Sequence, residues 1–306
     1  MMQGIAKEII ALLLKQKRQV KSYALNCQGN YCSNCQEPHL AKVVQAIMME
    51  QPLTLILPAF PAKSANRQKT ISSRPDLGEI MGLKNLNQLC HDIKQLHTPG
   101  VQLVICSDGR VFNDLVLVDD NDVDIYQQEI KSIIAANELT YLSTFSLDDV
   151  YTHCSYDTMR EKLIKEFGEP LPSLKKRILA NEILLYQFNG IHRFIIEDRL
   201  YLRQSISKNQ VRKEAKLVAY EVLRRSNAWS HLLANYFPYA VRLSIHPQPC
   251  GSEKLGIQFL PANNCWATPW HNVLLKYKHS WQLIKRAEAE RLGAKFNHDH
   301  YVLEAS

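Results

Sequence analysis

The segment Leu57-Pro-Ala-Phe-Pro-Ala-Lys-Ser-Ala-Asn-Arg-Gln-Lys-Thr70 gives the clearest indication of the architecture of this chain. It ends a short apolar run, Leu53 to Leu57, which breaks at Pro58 into a polar loop. This pattern is typical of a buried strand that delivers polar groups to its carboxyl end, where open α/β sheets bind ligands. A solvated surface loop between prolines would have the same composition, so the spacing alone leaves both interpretations open. The loop carries five donors suited to phosphate: Lys63, Ser64, Asn66, Arg67 and Lys69.

Strand-like and helix-like patterns alternate along the first half of the chain. Continuous apolar runs predict strands at 53–57 and 101–106, and residues 139–145 can form a third. Helical periodicity fills the intervals between them. Asp76 is a candidate helix cap, with Glu79 three residues later in capping-box position. The alternation predicts an α/β fold with a Rossmann-like parallel sheet core and helices on both faces.

The second half has a different pattern. Helical periodicity covers 158–186 and 207–233, with a short apolar piece at 191–196 between them. Extended segments follow at 240–246, 255–260 and 272–277. We therefore expect a mixed α+β C-terminal subdomain. A soft boundary near residue 150 would separate an N-terminal part (1–150, helices and Rossmann-like core) from a C-terminal part (151–306) that shares the active-site cleft.

Composition excludes several classes of function. The chain has 306 residues, 46% of them hydrophobic, and a formal net charge of +7 without long basic blocks, so we expect no nucleic-acid partner. No apolar run approaches the ~18 residues of a membrane span, and no secretion signal is visible, so we expect a cytoplasmic protein without a membrane partner. No G-x-G-x-x-G follows a predicted strand, which disfavours a nicotinamide or flavin cofactor.

Eight cysteines are distributed unevenly. Cys27, Cys32, Cys35 and His39 form a C-x4-C-x2-C-x3-H pattern that could hold a structural zinc ion. A polar loop with free thiols is the alternative that we favour, because the first gap is not the commonest zinc spacing. An iron–sulfur cluster is less favoured, since no fourth cysteine follows at a matching distance. We commit to no metal ligand and expect no catalytic metal.

Three further polar clusters follow or end predicted strands. Ser107, Asp108, Arg110 and Asp114 follow the second strand. Arg242, Ser244 and His246 alternate with aliphatic residues, which would place them on one face of a strand. Solvent exposure of that face would give the same alternation. The last cluster, Thr268-Pro-Trp-His271, combines an aromatic ring and an imidazole beside a rigid turn.

Five motifs in order resemble the isocyanide (isonitrile) synthase family, also called the pyoverdine/dityrosine biosynthesis family. One departure is Ala65, where the family usually has proline; it alters loop stiffness and leaves the polar residues in place. The motifs are Pro58-Ala-Phe-Pro-Ala-Lys-Ser-Ala-Asn66, Arg74-Pro-Asp-Leu-Gly-Glu79, Ser107-Asp-Gly-Arg-Val-Phe-Asn-Asp114, Arg242-Leu-Ser-Ile-His-Pro247 and Thr268-Pro-Trp-His271.

The resemblance implies a lyase-type reaction without a redox cofactor. Bacterial members join the amino nitrogen of tyrosine or tryptophan to a carbon from ribulose 5-phosphate, and the amine becomes an isocyanide. The pathway neighbour would be an iron/2-oxoglutarate oxygenase. Within the family, an N-formylating tyrosine enzyme of the dityrosine type is the alternative. Outside it, the cysteine cluster would suit a non-catalytic metal-binding scaffold protein.

The residues fit the implied chemistry. A sugar phosphate needs cations and hydroxyl or amide donors. Amine attack on a ketone needs proton transfer, for which Asp108, His246 and His271 are candidates. Lys63 could instead form a Schiff base with the sugar ketone if burial lowers its pKa, which we rank second because the substrate brings its own amine. Phe60, Phe112 and Trp270 could form the apolar wall. The predicted substrate- and phosphate-binding residues are Lys63, Ser64, Asn66, Arg67, Arg110, Arg242 and Ser244.

Overall fold

A parallel sheet forms the centre of the protein in a computed structural model that describes residues 2–18, 27, 29–203, 206–262 and 264–304. The apolar runs at 53–57 and 101–106 form two of its strands, as predicted. The sheet contains β1 (Leu53–Leu57), β2 (Val101–Cys106), β3 (Leu142–Phe145), β4 (Val241–Ser244) and β5 (Lys254–Gly256). These strands lie in the order β3-β2-β1-β4-β5, and every neighbouring pair is parallel.

The order of the strands reverses between β1 and β4. From β1 the chain builds outward through β2 and β3, and it later returns to pair β4 with the other side of β1, with Leu55 opposite Val241. Connections that leave a sheet in opposite directions open a crevice at the carboxyl ends of the two strands. The sequence therefore brings the segments after Leu57 and after Ser244 to the edges of one crevice.

Helices surround this sheet. Asp76 caps the third of them with a complete capping box that includes Glu79, as the sequence predicted. Within the described ranges, no helix combines the length and apolarity needed to cross a bilayer. The helices are α1 (Met2–Lys15), α2 (Ser33–Met48), α3 (Leu77–Lys94), α4 (Gly109–Phe112), α5 (Asp120–Ala136), α6 (Tyr156–Phe167), α7 (Leu171–Leu179), α8 (Glu182–Leu202), α9 (Lys208–Tyr236) and α10 (Arg286–Arg291).

Both faces of the sheet are covered, as the continuous apolar runs require. Leu55 packs in a core shared with α1, α2, α3 and α5, whereas the next residue, Ile56, packs in a second core with α6 and α9. Successive side chains of a strand point to opposite faces, so an apolar residue at every position implies cover on both sides. The predicted fold class is confirmed.

A second, mixed sheet lies in the C-terminal region. It contains β6 (Val273–Tyr277), β7 (Ser280–Ile284), β8 (Lys295–Asn297) and β9 (His300–Leu303) in the order β7-β6-β9-β8. The pair β6–β9 is parallel, and the pairs β6–β7 and β8–β9 are antiparallel. This sheet is the mixed part that the sequence predicted.

Two features of the second half differ from the sequence pattern. The apolar piece at 191–196 is no separate element but the middle of α8, where its residues cover the cavity described below. The strands β4 and β5 come from the second half yet complete the central sheet. The division near residue 150 therefore passes through a shared sheet, and as a domain boundary it stays a prediction.

Candidate active site

A cavity of about 490 Å³ lies at the carboxyl ends of β1, β2 and β4. Its walls come from the segments that follow these strands, from α8 and from residues 264–272. The volume is in the range of roughly 300–1,000 Å³ that small-molecule sites occupy. The reversal of strand order thus creates a site large enough for organic substrates.

Asp108 contributes a carboxyl group to the cavity. It follows β2 at the amino end of the short helix α4, but its side chain does not cap that helix. Burial raises the pKa of Asp108 to about 7, and a hydrogen bond from its own backbone N–H only partly opposes this. A carboxyl with this pKa exchanges protons readily near neutral pH, as a general base or acid requires.

Two imidazoles line the same cavity. Burial, with Arg18 and Lys254 as further causes, lowers the pKa of His246 to about 4. Burial also holds the pKa of His271 well below its usual range, with Lys69 as the next cause. Both rings are therefore neutral at pH 7, and each neutral ring can accept a proton or a hydrogen bond. The Nδ1 atom of His271 lies 3.3 Å from the hydroxyl of Thr268.

Aromatic rings form an apolar wall beside these groups. Trp270 is buried, and Trp266 packs against His246 with 5.6 Å between ring centroids. Phe194 lies 4.4 Å from the ring of His271. Phe112 lines the cavity as the sequence predicted. Phe60 packs at a tilt against Trp270, with 5.2 Å between ring centroids, and is not among the described lining residues. An aromatic substrate would find rings on several sides.

Lys69 and Asp198 form a buried ion pair on the cavity wall. The Nζ atom of Lys69 lies 2.7 Å from Oδ1 of Asp198 and 3.3 Å from Oε2 of Glu197. The ammonium group also lies 4.0 Å from the centroid of the Phe194 ring. The side-chain amide of Asn66 donates to the same Oδ1 of Asp198 at 2.9 Å. The polar loop after β1 and helix α8 are therefore joined at the cavity.

Two more cations reach the cavity from its rim. Lys285 is exposed and pairs with Glu197. Arg193, on the exposed side of α8, has no ion pair or hydrogen bond within the described part of the chain. An unpaired guanidinium at a cavity mouth is available to bind a phosphate or carboxylate group.

The loop after β1 is held in a constrained shape. Phe60 has a φ of +55°, a rare conformation for a bulky residue, and its carbonyl accepts a hydrogen bond from the hydroxyl of Ser107 at 3.0 Å. A Cβ on Gly109 would lie 2.0 Å from the carbonyl oxygen of Pro61, so only glycine fits this contact. The backbone N–H of Ser64 donates to the carbonyl of Trp270 at 2.9 Å. Three of the sequence motifs therefore meet here.

Lys63 lies behind this loop and not among the residues that line the cavity. Its Nζ atom is 2.7 Å from Asp76 and 2.8 Å from Glu79, and it donates to the carbonyl of Pro269 at 3.0 Å. Burial alone would lower the pKa of Lys63, but the two carboxylates raise it above its usual value. The amine stays protonated, so the condition we set for a Schiff base, a lowered pKa, is not met. Lys63 thus ties the loop to the capping box of α3.

Several other predicted binding residues are engaged elsewhere. Arg67 donates to the carbonyl of Ser64 and to the hydroxyl of Thr70, within its own loop. Arg110 is fully buried, pairs with Asp120 at 2.6 Å and lies over the ring of Tyr156. Neither Arg67 nor Arg110 is among the described residues that line the cavity.

The strand β4 corrects the expectation that Arg242, Ser244 and His246 share one face. The guanidinium of Arg242 donates to Ser230 on α9. The strand ends at Ser244, whose hydroxyl accepts from the backbone N–H of His246 at 3.1 Å. Period-two alternation therefore stops before His246, which reaches the cavity from a loop.

The cysteine pattern also changes in three dimensions. Cys27, Cys32 and Cys35 lie together as the spacing suggested, but the fourth member of the group is Cys250. His39 is not in the group: burial lowers its pKa to about 4, and its ring makes a hydrogen bond with the backbone of Ser252. The fourth cysteine that the sequence pattern lacked comes from the loop after β4.

Sequence reasoning missed the contribution of α8. Its apolar residues Ile191, Phe194 and Ile195 repeat at helical spacing, and Asp198 falls on the same face one turn later. An acidic residue on an otherwise apolar helix face was the signal available in the sequence. The sequence placed Lys69 in the polar loop. It could not distinguish Lys69 from the nearby cations Lys63 and Arg67, which do not line the cavity.

Taken together, the strand order, the acid–base groups and the aromatic wall define an enzyme of the open α/β class that acts on a small organic substrate. The chain belongs to the pyoverdine/dityrosine biosynthesis protein family, whose family model matches residues 43–296. This membership confirms the resemblance seen in the five motifs.

Named relatives agree with this assignment. An L-tryptophan isonitrile synthase of Fischerella ambigua is 42% identical, over 95% of this chain and 88% of the relative. An L-tyrosine isonitrile synthase of Pseudomonas aeruginosa is 37% identical, over 98% of this chain and 94% of the relative. The crystal structure of the PvcA protein from Pseudomonas aeruginosa has a TM-score of 0.92 at 35% identity and covers 98% of this chain and 99% of its own. The prediction that the chain is an enzyme of the isocyanide synthase kind is confirmed.

Proposed function

We propose that this enzyme converts the amino group of an aromatic L-amino acid, tryptophan or tyrosine, to an isocyanide with a carbon from ribulose 5-phosphate. The observation that carries the proposal is a single cavity that combines Asp108, two neutral imidazoles and a wall of aromatic rings. Relatives named for both amino acids support an aromatic substrate.

The aromatic ring of the amino acid would lie against Phe112, Trp266 and Trp270. Offset or edge contacts between aromatic rings contribute about 0.5–1.5 kcal/mol beyond the burial of area. The α-carboxylate needs a cation, and Lys69 is the buried one on this wall. Its partner Asp198 would hold the ammonium group in place and lower the net charge of the site.

The phosphate of the sugar would bind at the rim, where Arg193 and Lys285 are exposed. This proposal differs from the cation set that sequence reasoning gave for the phosphate, because Lys63, Arg67 and Arg242 are not among the described residues that line the cavity. A rim position leaves the charged phosphate in contact with water while the ketone carbon enters the cavity. Less desolvation of the phosphate is then required on binding.

Proton transfer would be carried by Asp108, with His246 and His271 as neutral partners. Attack of an amine on a ketone requires the amine without its extra proton, and the resulting carbinolamine must gain and lose protons before it proceeds. A carboxylate with a pKa near 7 can take the first proton at physiological pH. The neutral imidazoles can then accept hydrogen bonds from the hydroxyl groups of the sugar.

The experiment is direct. Purified protein is incubated with ribulose 5-phosphate and either L-tryptophan or L-tyrosine, and the product is analysed by mass and by the infrared stretch of the isocyanide. Omission of the sugar phosphate is the control. An N-formyl product would favour the dityrosine-type alternative, and no product with either amino acid would contradict the proposal. The oxygenase neighbour and a cytoplasmic location stay predictions.

A further inference from the structure

A group of four cysteines lies on the far side of the loop that carries His246. Sulfur atoms of Cys27, Cys32, Cys35 and Cys250 all lie within 4.8 Å of one another. Three come from the N-terminal region, and Cys250 comes from the loop between β4 and β5, more than two hundred residues later. Segments distant in sequence thus converge on one point with four thiol ligands.

The distances fit one tetrahedral ion. Sulfur–sulfur separations are 3.4 Å for Cys32–Cys250 and for Cys35–Cys250, and 3.6 Å for Cys27–Cys35. A disulfide bond would need about 2.05 Å. Four sulfurs at about 2.3 Å from a central zinc ion would lie roughly 3.8 Å apart. An iron–sulfur cluster would separate its ligands further, by the added width of the iron atoms.

Charge around the cluster fits a bound cation with thiolate ligands. The Nζ atom of Lys17 lies 3.0 Å from the sulfurs of Cys27 and of Cys35. A protonated amine donating to two sulfurs of the group is the contact that a metal-bound thiolate would accept.

We propose that Cys27, Cys32, Cys35 and Cys250 hold a structural zinc ion. Binding replaces four S–H protons with four zinc–sulfur bonds and releases the protons to solvent, without any change of oxidation state. The resulting tetrathiolate centre carries a charge of −2, of which the ammonium of Lys17 offsets a part. The short C-x2-C spacing at Cys32 and Cys35 places two ligands at the start of α2, as in many closed zinc sites.

The zinc ion would fix the position of His246. The loop from Ile245 to Ser252 begins at the cavity and reaches the cluster at Cys250. Other contacts of the loop include the hydrogen bonds from His246 and Gln248 to the hydroxyl of Ser244, the packing of His246 on Trp266, and the bond between His39 and the backbone of Ser252. Removal of the metal would loosen the loop at its outer end. The site is thus structural, and it touches neither the cavity nor a substrate.

Metal content of the full chain tests the proposal without an activity assay. The protein is purified without chelator, and zinc is measured by elemental analysis and native mass spectrometry. We expect one zinc ion per chain, and we expect cobalt-reconstituted protein to have the visible and charge-transfer bands of tetrahedral cobalt thiolate. The proposal would be overturned if the protein binds neither zinc nor cobalt although circular dichroism shows that it is folded.

Variants identify the ligands. Cys250→Ser should lose or strongly weaken zinc binding, whereas His39→Ala, which alters the residue that the sequence pattern offered, should retain it. Cys154→Ser is the matched control, because that thiol lies outside the cluster. Addition of zinc to chelated wild-type protein should raise the Tm, and it should not raise the Tm of Cys250→Ser. Full zinc content in Cys250→Ser would show that Cys250 is not a ligand and would refute this site. Loss of zinc in His39→Ala but not in Cys250→Ser would refute it as well.

Discussion

The Nζ atom of Lys69 lies 2.7 Å from Oδ1 of Asp198, and both side chains are almost fully buried. The pair joins the loop after β1 to helix α8 across one wall of the cavity. Each charge stabilises the other there, with Glu197 as a further partner of Lys69, since an unpaired buried charge is costly. The pair therefore makes the position of α8 depend on the same loop that sequence analysis found first.

Asp198→Asn should destabilise the protein and reduce its activity. Loss of one partner of a buried ion pair costs about 3–5 kcal/mol, and we expect the lower end because water in the cavity can reach Lys69. Urea denaturation measures the change in the free energy of unfolding. The matched control is Glu197→Gln, whose carboxylate is 37% exposed, and its cost should be under about 1 kcal/mol. Equal losses in the two variants would contradict the role given to Asp198.

The activity should depend on the protonation of Asp108. If Asp108 is the base, kcat/KM rises with pH through about 7, where its carboxyl loses the proton, and then levels off. His246, with a pKa of about 4, stays neutral across this range. Asp108→Asn should lose roughly 10²–10⁴-fold in rate and also the rising limb. Asp114→Asn, in the same motif but paired with Arg225, should keep the limb. If kcat/KM of Asp108→Asn still rises with pH through about 7, the rise belongs to the titration of another group.

Asp108 should also lower stability at high pH. Its folded pKa of about 7 lies above the unfolded value, so the folded state holds the proton longer than the unfolded state does. Stability conferred by this group is therefore present below the unfolded pKa and declines as the pH rises toward 7. In Asp108→Asn this decline should disappear, so the variant should be more stable than wild type at pH 8. Thermal melts at pH 5 and pH 8 measure the difference, and a variant destabilised at both values would contradict it.

Lys63→Met should affect folding more than substrate binding. The substitution leaves Asp76 and Glu79 buried without their cation, at a cost of about 3–5 kcal/mol. The double variant with Glu79→Gln should recover part of this, because one unpaired carboxylate is removed. Urea denaturation follows stability, and the KM for ribulose 5-phosphate should change little in the folded fraction. A large rise in that KM with stability unchanged would instead support direct phosphate binding by Lys63.

Arg193→Ala and Lys285→Ala should each weaken binding of the phosphorylated substrate. Hydrogen bonds to a charged group contribute about 1.5–3 kcal/mol, which corresponds to a roughly 10- to 150-fold rise in KM. The KM for the amino acid should remain close to the wild-type value. Arg242→Ala is the control, because its guanidinium is bound to Ser230. If Arg242→Ala alone raised the sugar-phosphate KM, the rim assignment would be wrong.

Gly109→Ala should damage the site through the backbone. The added Cβ would lie 2.0 Å from the carbonyl oxygen of Pro61, so the loops after β1 and β2 must separate. We expect lower kcat and lower Tm. Gly4→Ala is the control, since no atom of the described residues lies within 4 Å of its Cβ position on α1, and the change should stabilise by about 0.5–1 kcal/mol. Unchanged activity in Gly109→Ala would contradict a tight contact between these loops.

Local patterns in the sequence predicted the elements well where packing imposes a simple period. Continuous apolar runs gave β1 and β2, and Asp76 with Glu79 gave the start of α3, because strand burial and helix capping depend on neighbouring residues. Boundaries were less accurate where strands are short. The strand β4 ends at Ser244, two residues before the predicted end, and this changes the inferred direction of His246.

The sequence by itself determined the alternation of strands and helices, the polar loops at strand ends and, through five ordered motifs, the family. Tertiary structure decided which charged residues reach the cavity, because Lys63 and Lys69 are six residues apart in one loop and have partners on different helices. It also placed Cys250 and not His39 beside the three N-terminal cysteines, since a cysteine from a distant loop produces no local spacing pattern in the sequence. Contacts between residues far apart in sequence depend on chain topology, and local periodicity carries no information about them.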